Sequence, residues 1–440
     1  MNLPADVKNI IEVLESNGHE AYAVGGCVRD CILGKIPHDW DITTSAKPEE
    51  VKALFKKTFD TGIEHGTVTV LLNGTGFEVT TYRVDGKYED GRHPKQVTFT
   101  ASLEEDLKRR DFTINAMAYN DTRGLVDLFD GMKDLENGLI KAVGDPLERF
   151  SEDALRMLRA LRFAAQLGFE IDKATYEAIK ELAPTLERIS AERVQVELVK
   201  LITSPYPQKM RQVYEAGLTK VFMPEFDVMM ECEQVNKHHM YTVGEHSICA
   251  MENCPPDKVL RLTMLLHDVA KPKCKTSDEK GQNHFKGHPI EGAEMAKSIL
   301  KRLKFDNDTI DEVVKLVRYH DERPEPTKRN VRHLLVKVTE KSFENLMLVK
   351  KADMLAQSMY KRQEKLAELD EIERLYHEII EDKECLSIKD LQINGKDLLD
   401  AGVPQGTKIG VILKTLFEEV VEEPSLNTRE YLLNRAKDMI

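Results

Sequence analysis

Residues 21–44, AYAVGGCVRDCILGKIPHDWDITT, read as a strand, a glycine turn, a helix carrying Arg29 and a second β-like run. A strand, glycine turn and helix N-terminus can cradle phosphate, because free backbone amides and the helix dipole attract anions. In HDWDI, Asp39 and Asp41 stand two apart, so both carboxylates are expected on one face of a strand. Two acids on one face repel unless they face solvent or share a divalent cation, and magnesium favours oxygen ligands together with substrate phosphates. Alone, each feature has a plainer reading, a simple Gly-Gly turn or a solvated acid pair. Together they are coherent for nucleotidyl transfer, which needs an activated hydroxyl and a neutralised pyrophosphate.

Outward from this stretch, TVTVLL at 67–72, GFEVTTYRV at 76–84 and KQVTFT at 95–100 alternate with turns and with the helical PEEVKALFKK. This predicts an α/β or α+β head over roughly the first 140 residues. From about residue 147 the pattern is helical, rich in Leu, Ala, Glu, Lys and Arg. Punctuation at PYPQ (205–208), PP (255–256), RPEPT (323–327) and VPQGT (403–407) divides the helical part, giving expected regions 1–145, 146–232, 233–360 and 361–440.

Composition bounds the partners. The 440 residues are 41% hydrophobic and 32% charged, enough for packed cores. There is no apolar run of membrane-spanning length, and acids interrupt the N-terminal apolar pattern, so a cytoplasmic protein is expected. The net charge of -13 gives no general attraction for nucleic acid, so such a partner requires a local basic surface. Seven cysteines without a CxxC pair argue against a disulfide framework or a thiolate zinc site.

GGCVRD, HDWDITT, RRDFTINAMAYN at 109–120 and RFSEDALRMLRALRFAAQLGFEI at 149–171 occur in that order. This series resembles the class II tRNA nucleotidyltransferases, the CCA-adding enzymes of the DNA polymerase β superfamily. The resemblance continues through SAERVQVEL at 190–198 into the tail. It implies an α+β polymerase β-like head followed by all-α neck, HD and tail regions. Asp39 and Asp41 would hold the catalytic Mg²⁺, and Gly26, Arg29 and Arg110 would contact the nucleoside triphosphate. Glu78, in FEVTTYR, is either a third acid near the metals or a structural residue.

Asp153, Arg156, Arg159 and Arg162 recur every three residues and fall on one half of a helical cylinder, opposite Met157, Leu158 and Leu161. A solvated charged face is the plain reading. Three arginines without a lysine also suit planar, bidentate recognition of base edges or phosphates. In the resembling family the EDxxR motif, here Glu152, Asp153 and Arg156, selects the incoming base without a nucleic-acid template. An aspartate accepts from the exocyclic amino group of cytosine or adenine while an arginine donates to the adjacent ring acceptor; uracil and guanine present the opposite polarity. Arg159 and Arg162 would lie towards the ribose and phosphates. The loop DGKYEDGRHPKQ at 85–96 corresponds to a family element that accompanies addition of the terminal A.

Seven of the 13 histidines lie between 238 and 320. TVGEH, LLHDVAKP, HFKGHP and RYHDERP there resemble the HD phosphohydrolase superfamily. By that resemblance His246, His267, Asp268 and Asp353 would bind a metal, with His288 and His320 available to a second ion; Mn²⁺, Fe²⁺, Ni²⁺, Zn²⁺ and Mg²⁺ fit such a set equally. An inert scaffold is the alternative. The tail at 393–433 also resembles that of bacterial CCA-adding enzymes, and its glycines at 402, 406 and 410 would permit close approach of a phosphate backbone. The expected activity is addition of C, C and A to the tRNA 3′ end from CTP and ATP. An A-adding, CC-adding or poly(A) polymerase, an HD phosphohydrolase and a non-catalytic RNA-binding module are the rivals.

Overall fold

The computed structural model describes residues 1–85, 97–235 and 240–439. The chain forms two compact units, Met1–Asp227 and Val228–Ile440. Most of the loop at 85–96, and His238 and His239, lie outside the described residues.

The first unit is built on a mixed sheet. Its strands are β1 (Ala21–Val24), β2 (Asp41–Thr44), β3 (Thr58–Gly62), β4 (Thr67–Leu72), β5 (Thr75–Thr81), β8 (Met117–Asn120) and β9 (Gly124–Asp127), in the order β3-β4-β5-β2-β1-β8-β9. β6 (Arg83–Asp85) and β7 (Val97–Phe99) form a separate antiparallel pair. The interior strand β1 is buried throughout and pairs antiparallel with β2 and β8, while β2 and β5 run parallel. α1 (Ala5–Ser16) forms because Val7, Ile10, Ile11 and Leu14 share one face, and all four are buried. α2 (Gly26–Ile32) follows β1 directly, α3 (Pro48–Leu54) follows β2, and α4 (Leu103–Lys108) and α5 (Gly131–Glu136) complete the head.

The helical segment expected across 149–171 is broken. α6 (Pro146–Glu152) ends, Asp153 turns extended at φ -142°, and α7 (Leu155–Leu167) begins. Asp153 therefore does not belong to the arginine-bearing helix; its Oδ1 accepts from the Leu155 amide at 3.1 Å. α8 (Lys173–Leu182) and α9 (Ala191–Ile202) pack beyond it. The part after 147 is also not wholly helical: Glu170–Ile171 pairs with Leu139–Ile140, and Thr276–Ser277 forms a ladder with Asn283–His284.

The second unit is otherwise helical. Thr242, Asp257, Asp306 and Thr327 each accept from a first-turn amide, which explains where the helices after them start. RPEPT thus ends on a cap. The tail helices Gly395–Asp400, Thr407–Glu422 and Arg429–Lys437 close over Leu398, Val403, Leu416, Val420 and Leu432. No described helix is long and apolar enough to cross a membrane.

Candidate active site and metal centre

Only Asp41 of the HDWDI pair is in strand β2; Asp39 sits in the bend before it. The partner face is supplied from elsewhere: Asp41 lies opposite Glu78 in the parallel register of β2 and β5. In β5, Phe77 and Val79 point into the core and Glu78 points out, as strand alternation requires. Asp41 is solvent-accessible yet walled by protein. That crowding raises its carboxyl above the ordinary range, Arg110 opposes the shift, and Asp39 adds to it. Glu78 is raised by desolvation, then by Asp41 and Asp39. These carboxylates share one electrostatic neighbourhood, where a bound divalent cation would relieve their repulsion.

The glycine turn lies beside them. Gly25 has φ +82°, and a Cβ there would come within 2.9 Å of Arg110 Nη1. A Cβ on Gly26 would meet only Arg29 Nη2, at 3.7 Å, so the fold itself leaves space in front of that residue. Arg29 is buried. It donates from Nη1 to Asn115 Oδ1 at 2.6 Å and from Nε to Asp30 at 2.9 Å, and stands 5.1 Å from the Phe163 ring centre. Burial lowers the Arg110 pKa, against the pull of Asp106, and its Nε is buried without a hydrogen-bond partner among the described residues.

On α7 the arginines are not a solvated face. Arg156 donates to the carbonyls of Arg149 (3.0 Å) and Arg109 (3.1 Å) and pairs with Glu152. Arg159 meets Asp111 through Nε (2.9 Å) and Nη2 (2.7 Å). Arg162 pairs with Glu197 at 2.8 Å and lies 3.6 Å from the Phe163 ring centre. Asp153 is held by Arg193 of α9, at 2.7 Å. Burial pushes the Asp111 carboxyl up, but Arg159 and the hydrogen bonds from Arg159 and Asn115 outweigh it and bring it to about 2.

In the second unit, His246, His267 and Asp268 group their ligand atoms, and Asp268, His288 and His320 do the same. Asp268 is common to both. His246 Nε2 lies 2.8 Å from Asp353 Oδ1 and 3.2 Å from His267 Nε2, while His288 Nε2 lies 3.3 Å from Asp268 Oδ1 and from His320 Nε2. Nδ1 of His267, His288 and His320 faces the carbonyls of Met264, Phe285 and Val317 at 2.7–2.8 Å. Those contacts turn each Nε2 inwards, the arrangement by which outer groups orient metal-binding imidazoles. The Asp268 carboxylate is fully buried among these groups, with Lys271 Nζ 2.6 Å and His267 Nε2 3.2 Å from Oδ2. Imidazole and carboxylate donors of this kind could hold divalent cations, with Asp268 available to either group. A cavity of about 560 Å³ reaches the centre, lined by His288, His320 and Asp353 with Lys271, Lys286 and Arg323.

Residues 21–141 match the family of the poly A polymerase head domain, 168–230 the "Probable RNA and SrmB- binding site of polymerase A", and 290–436 the second domain of tRNA nucleotidyltransferases. A CCA-adding enzyme of Ligilactobacillus salivarius is 37% identical over 446 residues, covering 100% of this chain and 98% of that protein. This chain belongs to the CCA-adding enzyme family. Another family member, from Levilactobacillus brevis, is 38% identical over 98% of this chain and 96% of its own. The crystal structure of the Bacillus stearothermophilus CCA-adding enzyme in complex with CTP aligns with a TM-score of 0.74 at 28% identity, covering 100% of this chain and 98% of that one.

In this family member the structure brings Asp39, Asp41, Glu78 and Arg110 together, with Arg110 against the Gly25 turn. A second polar group joins Asp153, Arg156 and Arg159 to Arg193, Arg109 and Asp111. Sequence reasoning missed Arg193, Asn115 and Asp111 as holders of these side chains, although SAERVQVEL and RRDFTINA contain them. It also missed Lys271 and Gln357 beside the histidine centre; the latter donates to Asp353 Oδ2 at 2.9 Å.

Proposed function

We propose that this protein adds C, C and A to the 3′ end of tRNA from CTP and ATP without a nucleic-acid template. The observation that carries the reading is the placing of Asp41 and Glu78 in register, with Asp39 and Arg110 beside them and a glycine turn adjoining. Asp39 and Asp41 would hold Mg²⁺, which when bound lowers the pKa of the tRNA 3′-hydroxyl and neutralises the departing pyrophosphate. Gly26 leaves room for the triphosphate, and Arg29 and Arg110 supply positive charge next to it. Asp153 presents its carboxylate to the exocyclic amino group of cytosine or adenine, steadied by Arg193; Arg156 donates to the ring acceptor. Arg159 and Arg162 sit further along α7, where Asp111 and Glu197 fix their guanidinium planes. In this reading residues 1–145 are the head, 146–232 the neck, 233–360 the HD region and 361–440 a tRNA-binding tail. Gly402, Gly406 and Gly410 of the tail face open space, where a Cβ would meet nothing within 4 Å. Labelled CTP or ATP, offered with tRNA lacking its end, tests the proposal. Growth should stop after three nucleotides and vanish in an Asp39→Ala, Asp41→Ala variant; long ATP-only products would instead reveal a poly(A) polymerase.

The convergent imidazoles favour a second reading, a phosphohydrolase centre in the same chain. His246, His267, Asp268 and Asp353 would hold one divalent cation and Asp268, His288 and His320 another. Bound cations would activate a water for attack on a phosphate ester, and Lys271, Lys286 and Arg323 line the approach. Metal analysis of purified protein against a His267→Ala variant tests it; equal metal content in the two would refute it.

A further inference from the structure

Lys350, Asp353 and Gln357 follow one another at helical spacing along Glu340–Ala356 and its C-cap, and they are only 3%, 7% and 4% exposed. Asp353 faces His246 with Oδ1 and accepts from Gln357 with Oδ2, and Gln357 in turn accepts from Lys365 Nζ at 2.7 Å. Lys350, one turn earlier, reaches a different helix. Its ammonium donates to the carbonyls of Tyr319 (3.1 Å), His320 (2.9 Å) and Glu322, at the end of the helix Asn307–Tyr319. All three donors of one ammonium are thereby spent on the turn that carries His320. Burying an ammonium is costly, and an ordinary helix end is closed by a glycine or an exposed side chain at no such cost.

The turn has a specific task. His320 Nδ1 faces Val317 O at 2.7 Å, and its Nε2 stands 3.3 Å from His288 Nε2 and 3.6 Å from Asp268 Oδ1. Lys350 therefore ties His320 to the helix that supplies Asp353. We propose that Lys350 is a positioning residue for a second divalent cation, locking the His320 turn so that His288, His320 and Asp268 are preorganised beside the His246, His267 and Asp353 set. This rests on the reading of the histidine centre as a metal site. Losing such an outer partner typically weakens metal affinity 10–100-fold.

Manganese titration of the metal-free full chain, followed by calorimetry and elemental analysis, tests the assignment. Wild type should bind two ions in the second unit's centre, the Lys350→Met variant one at near wild-type affinity and the other 10–100-fold more weakly. His320→Ala should reproduce that pattern, and the double variant should add nothing to it. Two ions at wild-type affinity in Lys350→Met, or an equal loss of both, would overturn the proposal. A wild type holding one ion overturns it while leaving the metal reading intact; a wild type holding none in this centre removes both. If the methionine variant does not fold, Lys350→Arg serves: its longer, planar head cannot make the same three contacts, so selective weakening of one ion supports the assignment and two unchanged ions refute it.

Discussion

Asp41 on β2 and Glu78 on β5 stand opposite each other in a parallel pair, and the Asp41 charge adds to the burial that holds the Glu78 carboxyl above its ordinary range. Like charges directly opposite destabilise a sheet, on the scale of about 0.2–1 kcal/mol that cross-strand pairs are worth. Glu78→Gln should therefore stabilise the magnesium-free protein by about that amount in urea unfolding. If Glu78 contributes to the cation site, the same change should cut CTP incorporation at least tenfold. A less stable variant would show that Glu78 holds the sheet together instead.

Gly25 and Gly26 separate folding from ligand binding. With φ +82° and Arg110 in the way, Gly25→Ala should cost about 1–3 kcal/mol and displace the guanidinium. Gly26→Ala should cost no more than about 0.5 kcal/mol, since its Cβ would meet only the end of Arg29, yet it should raise the KM for CTP. Paired unfolding and steady-state measurements check both. An unchanged KM in Gly26→Ala would place the triphosphate elsewhere.

These residues also show how far the sequence could be read. β4 appears over the very residues of TVTVLL because that strand alternates. The exposed edge strand β3 has no such alternation and left no signal. The acid pair was legible as chemistry but not as geometry: two-residue spacing implied one strand, whereas Asp39 precedes it and the facing acid arrives through the β2–β5 register, which is a long-range property. Likewise the three-residue period of α7 found its arginines but not the break at Asp153. That break depends on a local carboxylate-to-amide bond and on Arg193 forty residues away.

Arg193 gives the next expectation. Its ion pair with Asp153 is largely shielded and, together with the Leu155 amide, aims the carboxylate at the backbone break. Arg193→Ala should loosen base choice, raising UTP incorporation relative to CTP about tenfold, a difference of about 1.4 kcal/mol. Arg156→Ala should do the same by removing the donor itself. Incorporation ratios under competing nucleotides measure this, and a fall in overall rate with an unchanged ratio in both variants would end the idea that these side chains replace a template.

The Asp111–Arg159 pair makes acid stability predictable. Desolvation opposes the Asp111 charge, but Arg159 and Asn115 win, so the native carboxyl titrates at about 2. As pH falls, the unfolded chain takes up this proton first, near pH 4, so the contribution is complete above that point and is lost between about pH 4 and pH 2. A native value of about 2 against an ordinary value near 4 corresponds to about 2 kcal/mol. Asp111→Asn should therefore lose about 2 kcal/mol at pH 7, and its deficit against wild type should shrink steadily as pH drops through that window. Urea unfolding of both proteins from pH 7 to pH 2 reads the difference; a deficit independent of pH would mean that Asp111 stabilises the head by packing and hydrogen bonding, not through its charge.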